Sequence, residues 1–160
     1  LDSMVFCGQE GPDRARQISE WVDQGIGRVN GKPFPKHELQ AKGMLLVPAG
    51  FYGPRFIVTP NFYVLKEYNN SDLYALYIGN LADRMAYGSG PFKKNWGDVG
   101  RLLRSDIARM QRVLEKDGYD VGGADGLPGY KTRRSIGEWQ RKKGIKASCF
   151  PTPGLVSKLR

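Results

Sequence analysis

The sequence predicts a mainly α-helical protein with a small β- and loop-rich lobe, followed by a three-helix bundle. Three observations lead to this fold class. Apolar residues recur at helical spacing in several segments of the 160-residue chain. Between residues 26 and 60 this periodicity stops, and Gly and Pro separate short apolar pieces instead. After residue 104, three helical patterns are divided by glycine-rich turns.

The first half of the chain accounts for the mixed part of this fold. A helix is predicted from Pro12 to Gly25, with Asp13 as its N-cap and Gly25 as its stop. Residues 44–47 and 55–58 are apolar runs bounded by Gly and Pro, which predicts two short strands. Helical spacing then returns over residues 61–68.

A longer helix is predicted between Ser71 and Gly88. Ser71 is a good N-cap, and Gly88 is a typical C-terminal stop. The residues expected to form its buried stripe are Tyr74, Ile78, Leu81, Ala82 and Met85. Its longest apolar run, residues 73–78, is far shorter than the ~20 residues that a membrane span needs. We therefore expect no transmembrane segment in this chain.

The bundle is predicted from three helices. Ser105 is the expected N-cap of the first, which runs to Asp117. The second is expected over residues 132–143 and the third over 154–159. A shift of 23 residues aligns Asp125 with Ser148, which indicates a weak internal repeat.

The Gly- and Lys-rich stretch after Gly88 predicts a linker between two domains. We expect a first domain over residues 1–87, a linker over 88–103 and the bundle over 104–160. Because the chain begins at Leu1 without a signal-sequence pattern, we expect it to be a piece of a longer protein.

Charge is concentrated in the bundle. Residues 1–100 carry 11 Lys and Arg against 10 Asp and Glu, whereas residues 101–160 carry 14 against 6. The bundle region, at net +8, therefore supplies nearly all of the formal charge of +9. Such a surface favours a polyanionic partner, which is nucleic acid, anionic lipid or an acidic wall polymer.

Metal and cofactor chemistry find little support in the composition. Two cysteines, Cys7 and Cys149, stand 142 positions apart, and there is one histidine, His37. This is too few ligands for a zinc site of the usual kind. We expect no cofactor and no metal, and we interpret His37 as a surface residue. Pairing of the two cysteines is left open.

The second half of the chain resembles the type 1 peptidoglycan-binding domain. The resemblance covers about 50 residues and rests on Gln111, Gly118-Tyr119, Asp125-Gly126, Gly129 and Trp139-Gln140. Ser148-Cys149 depart from the pattern, because they stand where the repeat would carry a second Asp-Gly. The geometry of this one turn is therefore in question.

The first half resembles the C-terminal part of membrane-bound type B lytic murein transglycosylases. The matching motifs are Gly53-Pro54-x-Phe56, Asn61-Phe62, Tyr68-Asn69-Asn70-Ser71-Asp72-x-Tyr74-Ala75-Leu76 and Leu81-Ala82-Asp83-Arg84. The resemblance implies a lysozyme-like domain and cleavage of the MurNAc-GlcNAc strand to 1,6-anhydromuramoyl ends. It also implies peptidoglycan as the partner, with a location in the periplasm or cell envelope.

The resemblance also suggests substrate-binding residues. Tyr68, Asn69 and Tyr74 match positions that line the glycan cleft, although capping and core packing are alternative roles. In the bundle, Tyr130, Arg133 and Arg134 are the chosen candidates, with Lys131 and Trp139 also considered, because cations bind stem carboxylates and aromatic rings stack on sugars. Asp125-Gly126 and Gly129 are interpreted as turn residues rather than ligand contacts.

The catalytic acid of the resembled family finds no match. Glu10, Glu20, Glu38 and Glu67 each lie in the wrong local sequence, and we interpret each as a solvated surface carboxylate. We therefore expect no catalytic residue in this chain and place that Glu upstream of Leu1. Two alternatives stay open, which are a complete small glycosidase using one of these glutamates and a basic nucleic-acid-binding module. Specific nucleic-acid binding is not expected, and the oligomeric state is left open.

Overall fold

The computed structural model describes residues 7–159. Their contacts form two compact units. The sheet unit comprises residues 11–46 and 55–94, and the bundle unit comprises residues 7–10, 47–54 and 95–159. The predicted domain boundaries at 87 and 104 stay a prediction, since the units follow contacts rather than chain order.

The sheet unit contains three short antiparallel strands in the order β1-β2-β3. They are β1 (Arg16–Gln17), β2 (Lys42–Leu46) and β3 (Phe56–Val58). Arg16 lies opposite Gly43, and Leu45 lies opposite Ile57. The three helices of this unit are α1 (Ile18–Asp23), α2 (Pro60–Tyr68) and α3 (Asp72–Tyr87), and single 3-10 turns occupy Pro12–Arg14 and Lys36–Glu38. The exposed His37 lies in the second of these turns, as expected.

Helix α1 is shorter than the sequence suggests. It begins at Ile18 rather than near Asp13, because residues 12–14 form a 3-10 turn and Arg16–Gln17 pair with β2. The backbone NH of Gln17 donates to the Glu20 carboxylate at 3.0 Å and so caps the helix. Trp21 packs beside Gly43 and donates its indole NH to the Gly43 carbonyl at 3.0 Å.

Helix α3 has the bounds that its caps predict, but its buried face is different. The Ser71 hydroxyl accepts the Tyr74 NH at 3.3 Å, and Gly88 ends the helix with a φ of 63°. The residues that enter the core are Ala75 and Leu76, together with Met44, Leu46, Val58 and Phe62. The predicted buried stripe is wrong. Tyr74 and Ile78 are half-buried, Leu81 and Ala82 are exposed, and Met85 is 81% exposed.

The bundle unit is built on α4 (Arg104–Lys116), α5 (Tyr130–Lys142) and α6 (Pro153–Lys158), with a 3-10 turn at Gly50–Tyr52. Leu103, not Ser105, is the N-cap of α4, and its NH donates to the Asp106 carboxylate at 3.1 Å. The core consists of Met110, Leu114, Val121, Ile136, Trp139, Leu155, Val156 and Leu159. A mainly helical protein with one small sheet is thus confirmed.

The two glutamines of the repeat hold equivalent turns. Gln111 accepts the Gly126 NH at 2.7 Å, and Gln140 accepts the Cys149 NH at 3.0 Å. Gly126 has a φ of 80°, and Cys149 has a φ of 58°. The departure at Ser148-Cys149 therefore keeps the left-handed turn, although a cysteine replaces the glycine that usually occupies it. The Gly126 NH donates to Gln111, which supports the interpretation of Gly126 as a turn residue.

Candidate functional site

In the sheet unit, two of the three predicted glycan-binding residues lie side by side. Tyr68 ends α2 and Tyr74 lies in the first turn of α3. Their rings stack with centroids 6.3 Å apart and planes inclined by 29°. Tyr68 is 85% exposed, whereas Tyr74 is half-buried. This aromatic ledge, formed by Tyr68 and Tyr74, offers a flat apolar face with a hydroxyl on each ring.

Asn69 joins the two helices and has a local structural role. Its side-chain oxygen accepts the Ser71 NH at 3.0 Å, which fixes the turn that brings Tyr74 next to Tyr68. Asn69 itself is exposed, and its amide nitrogen donates to no other residue among 7–159. The cap of α3 is thus the Ser71 hydroxyl, whereas Asn69 shapes the turn before it, and the Asn69 amide nitrogen is open to a ligand.

An ion pair ties the two helices that carry the ledge. Lys66 in α2 pairs with Asp72 at the start of α3, and both side chains are largely shielded from solvent. The Lys66 ammonium also lies 5.9 Å from the centre of the Tyr63 ring. Sequence analysis missed this pair. The signal that could have found it is a lysine shortly before and an aspartate shortly after the Tyr68-Asn69 motif.

In the bundle unit, Tyr130 and Arg134 form the second face. Tyr130 begins α5, and the Arg134 guanidinium lies over its ring at 4.9 Å, one helical turn later. Arg134 also donates to the Glu10 carbonyl at 3.1 Å. We call Tyr130 and Arg134 the bundle face. A ring covered by a guanidinium suits a ligand that carries both sugar and carboxylate groups.

Lys131 is engaged by a neighbouring carboxylate. Its ammonium lies 2.9 Å from the Asp120 carboxylate. This hydrogen bond lowers the pKa of Asp120 and raises the pKa of Lys131. Both groups are therefore charged at neutral pH, and the pair adds little net charge to the bundle face.

Arg133 corrects the sequence interpretation. It is 2% exposed, and its guanidinium pairs with Glu10, the shortest contact being 2.6 Å from Nη2 to Oε1. It also donates to the Pro128 carbonyl at 2.7 Å. A group so enclosed is not presented to a surface ligand, so Arg133 does not join the bundle face. Trp139, similarly, belongs to the core.

Glu10 corrects a second expectation, since it is fully buried rather than solvated. Besides Arg133, its Oε1 accepts the Val47 NH at 2.9 Å. The guanidinium contacts both carboxylate oxygens and the fully buried carboxylate is enclosed by these donors, which suits a structural ion pair and not a group presented to a ligand. Glu20 is engaged as a helix cap, Glu38 is half-buried and Glu67 is exposed.

Among residues 7–159, no cluster of three or more His, Cys, Asp or Glu side chains is arranged to bind a metal ion. None of the helices described combines the length and the hydrophobicity that a bilayer span requires.

Family comparisons match both halves of the chain. The transglycosylase SLT domain family matches residues 2–83. The peptidoglycan binding domain family matches residues 104–159. A comparison with curated proteins finds no significant match.

Solved structures support the same assignment. The crystal structure of SltB3 from Pseudomonas aeruginosa in complex with NAG-anhNAM-pentapeptide matches with a TM-score of 0.80 and 36% identity, over 99% of this chain and 42% of that one. The complex of the same protein with NAG-NAM-pentapeptide matches with a TM-score of 0.81 and 36% identity, over 97% and 41%. This chain thus spans about two fifths of the length of those solved chains. The predicted order of a lysozyme-like domain portion and a peptidoglycan-binding bundle is confirmed.

Proposed function

We propose that this chain, which belongs to the transglycosylase SLT domain family, binds peptidoglycan as the C-terminal part of a lytic murein transglycosylase. The observation that carries the proposal is the presence of both family domains on one chain, at residues 2–83 and 104–159. Each domain contributes one aromatic face that is at least partly accessible, which is the ledge with the exposed Tyr68 in the first and the half-buried bundle face in the second. The two faces suit different parts of one polymer, glycan and peptide stem.

In the parent enzyme, the proposed reaction is cleavage of the MurNAc-GlcNAc bond to a 1,6-anhydromuramoyl product. SltB3 was crystallised with a ligand of this anhydro type. The reaction needs one carboxylic acid that first protonates the glycosidic oxygen and then accepts the proton of the sugar 6-hydroxyl. No glutamate among residues 7–159 is placed for that role, so we assign it to the part of the parent that the chain does not span. Tyr68, Asn69 and Tyr74 would hold the glycan beside it.

An exposed apolar row on α3 supports this assignment. Leu73, Tyr77, Leu81 and Met85 follow each other at four-residue spacing and are between 41% and 81% exposed. A row of this length on one helix face marks a surface that is normally covered. We propose that the remainder of the transglycosylase domain covers it in the parent.

The finer assignments are also proposals. The sequence motifs favour the membrane-bound type B family, and the wall substrate favours a location in the cell envelope, specifically the periplasm. The Cys7–Cys149 disulfide supports this location, since such bonds persist in oxidising compartments. Neither alternative function is supported by a specific observation, because Glu10 is ion-paired and the basic residues form no recognised nucleic-acid motif.

Sedimentation with purified peptidoglycan tests the proposal. We expect the chain to pellet with the polymer and to be released progressively as salt is raised, because a net +8 region is screened over ~8–10 Å near physiological ionic strength. Arg134→Ala or Tyr130→Ala should weaken retention by about tenfold, the size of one interface contact of ~1.4 kcal/mol.

Lys143→Ala is the matched control for Arg134→Ala. It removes the same charge from an exposed residue that directly follows α5, and we expect at most a twofold change in retention, the size of a screened surface contact. A chain that binds duplex DNA as tightly as peptidoglycan at matched salt would contradict the proposal and favour a basic nucleic-acid module.

A further inference from the structure

The bundle unit contains two segments that lie outside the peptidoglycan-binding match. Residues 7–10 and 47–54 fall in the range matched by the transglycosylase family, yet their contacts belong with the bundle. The bundle therefore does not consist only of residues 104–159. The question is what these two segments do there.

Segment 7–10 is fixed at both of its ends. Cys7 is bonded to Cys149, and both cysteines are buried beside Ala147 and Phe51. Glu10 forms the buried ion pair with Arg133. Helix α5 passes close to the disulfide at Gly137, where an added Cβ would lie 2.9 Å from the Cys149 sulfur. A glycine inside this helix thus makes room for the crosslink.

Segment 47–54 lies against the same turn. The Phe51 NH donates to the Ser148 carbonyl at 2.9 Å, and the Val47 NH donates to Glu10. Gly50 has a φ of 54°, and a Cβ there would lie 2.2 Å from the Ser148 oxygen. This backbone-to-backbone approach leaves no space for a side chain, so the segment and the second turn of the repeat pack as one piece.

These contacts extend to the bundle face. Arg134 lies over Tyr130 and donates to the backbone carbonyl of Glu10, so segment 7–10 supports one of the two residues of that face. The neighbouring Arg133 is held by the side chain of the same glutamate. Residues 133 and 134 of α5 therefore both depend on one residue that lies more than 120 positions earlier.

We propose that segments 7–10 and 47–54 are an integral part of the peptidoglycan-binding module, and that the Cys7–Cys149 disulfide is a redox lock that keeps the bundle face ordered. The cysteine that replaces the expected glycine in the second turn is the residue that makes the lock possible. The claim that the bundle face binds peptidoglycan rests on the proposed function. The claim that the disulfide keeps this face ordered does not rest on it, and the experiment measures only that order.

Hydrogen exchange of the full chain, followed by mass spectrometry, tests this proposal. In the oxidised chain, peptides covering residues 47–54 and 130–142 should exchange together and slowly. In Cys7→Ala/Cys149→Ala both should exchange roughly 30-fold to 1,000-fold faster, because a disulfide contributes about 2–4 kcal/mol and 1.4 kcal/mol is tenfold. The peptide over residues 60–87, in the sheet unit, should be unchanged.

Reduction gives the same comparison without substitution. Dithiothreitol transfers two electrons to the disulfide, each sulfur takes up a proton to leave as a thiol, and the reagent closes to its cyclic disulfide. The reduced chain should match the double variant and return to slow exchange on reoxidation with oxidised glutathione. If exchange over residues 130–142 is unaffected by both reduction and substitution, the proposal that the disulfide keeps the bundle face ordered is wrong.

Gly50→Ala keeps the disulfide and tests the second segment. The added methyl group meets the Ser148 oxygen, so residues 47–54 and 130–142 should both exchange faster. Gly79→Ala is the matched control, since Gly79 lies in α3 with nothing within 4 Å of the added Cβ. Acceleration confined to residues 47–54 in Gly50→Ala would show that the segment is not part of the module. Because exchange reports order and not affinity, failure here is separate from failure to bind peptidoglycan.

Discussion

Arg133→Ala is expected to destabilise the bundle unit by about 3–5 kcal/mol, because it leaves the Glu10 carboxylate buried without its cation. Glu10 is fully buried, and the Val47 NH cannot replace a guanidinium that contacts both carboxylate oxygens. The substitution also removes the donor to the Pro128 carbonyl just before α5. Urea unfolding followed by tryptophan fluorescence measures the effect.

Two controls separate the ion pair from general damage to the helix. Arg141→Ala removes an exposed arginine near the end of α5 and should change the free energy of unfolding by at most ~0.5 kcal/mol. Glu10→Gln/Arg133→Met removes both charges while keeping an acceptor for Val47, and should recover at least half of the loss. A double variant as unstable as Arg133→Ala would contradict the account of the pair.

The second large effect is an absence of catalysis. The 160-residue chain should release no 1,6-anhydromuropeptides from peptidoglycan between pH 4 and 8, as measured by liquid chromatography with mass detection. A positioned general acid and base supplies typically ~10²–10⁴-fold, and the fully buried Glu10 is enclosed in its ion pair with Arg133. Without that group the leaving oxygen stays unprotonated.

The parent enzyme supplies the positive control for this prediction. There, Tyr74→Phe or Asn69→Ala should lower turnover while retention by the bundle face persists. Anhydro products from the isolated chain that disappear in Glu20→Gln, Glu38→Gln or Glu67→Gln would contradict the assignment. They would make this chain a complete glycosidase.

Local signals in the sequence were sufficient for much of the fold. Ser71 and Gly88 bound α3 because capping depends on residues within one turn of the helix end. The Gly and Pro pattern identified the small lobe for the same reason, since turns are short-range. Helix α1 was overextended because the alternative state of Arg16–Gln17 depends on pairing with β2, about 26 residues later.

The interior of the bundle unit could not be predicted in this way. Glu10 and Arg133 are separated by 123 residues, and Cys7 and Cys149 by 142. Neither pair has a spacing signal, since only the folded chain brings the partners together. The sequence shows that Cys149 departs from the Asp-Gly pattern of the repeat. It does not show the left-handed backbone of Cys149, which goes with the hydrogen bond from its NH to Gln140.

The candidate site shows the same difference between residues that local sequence predicts and residues that long-range contacts position. The Tyr68-Asn69 motif and Tyr74 are close in sequence, and the short turn at Asn69 brings the two rings together, so a local motif could predict that they share one site. Arg133 and Arg134 are adjacent in sequence but point to different environments, because neighbours on a helix do not share a face. Arg133 is buried and Arg134 is half-buried because each contacts Glu10 of segment 7–10, which no local sequence pattern predicts.

Titration of the isotopically labelled chain with NAG-NAM-pentapeptide, followed residue by residue by NMR, tests the central claim most directly. If the chain binds peptidoglycan through its two aromatic faces, saturable shifts will appear at Tyr68, Asn69 and Tyr74 and at Tyr130 and Arg134, with Arg133 moving less than Arg134. Shifts confined to exposed basic residues such as Arg141 and Lys143, with none at the two aromatic faces, would contradict that claim.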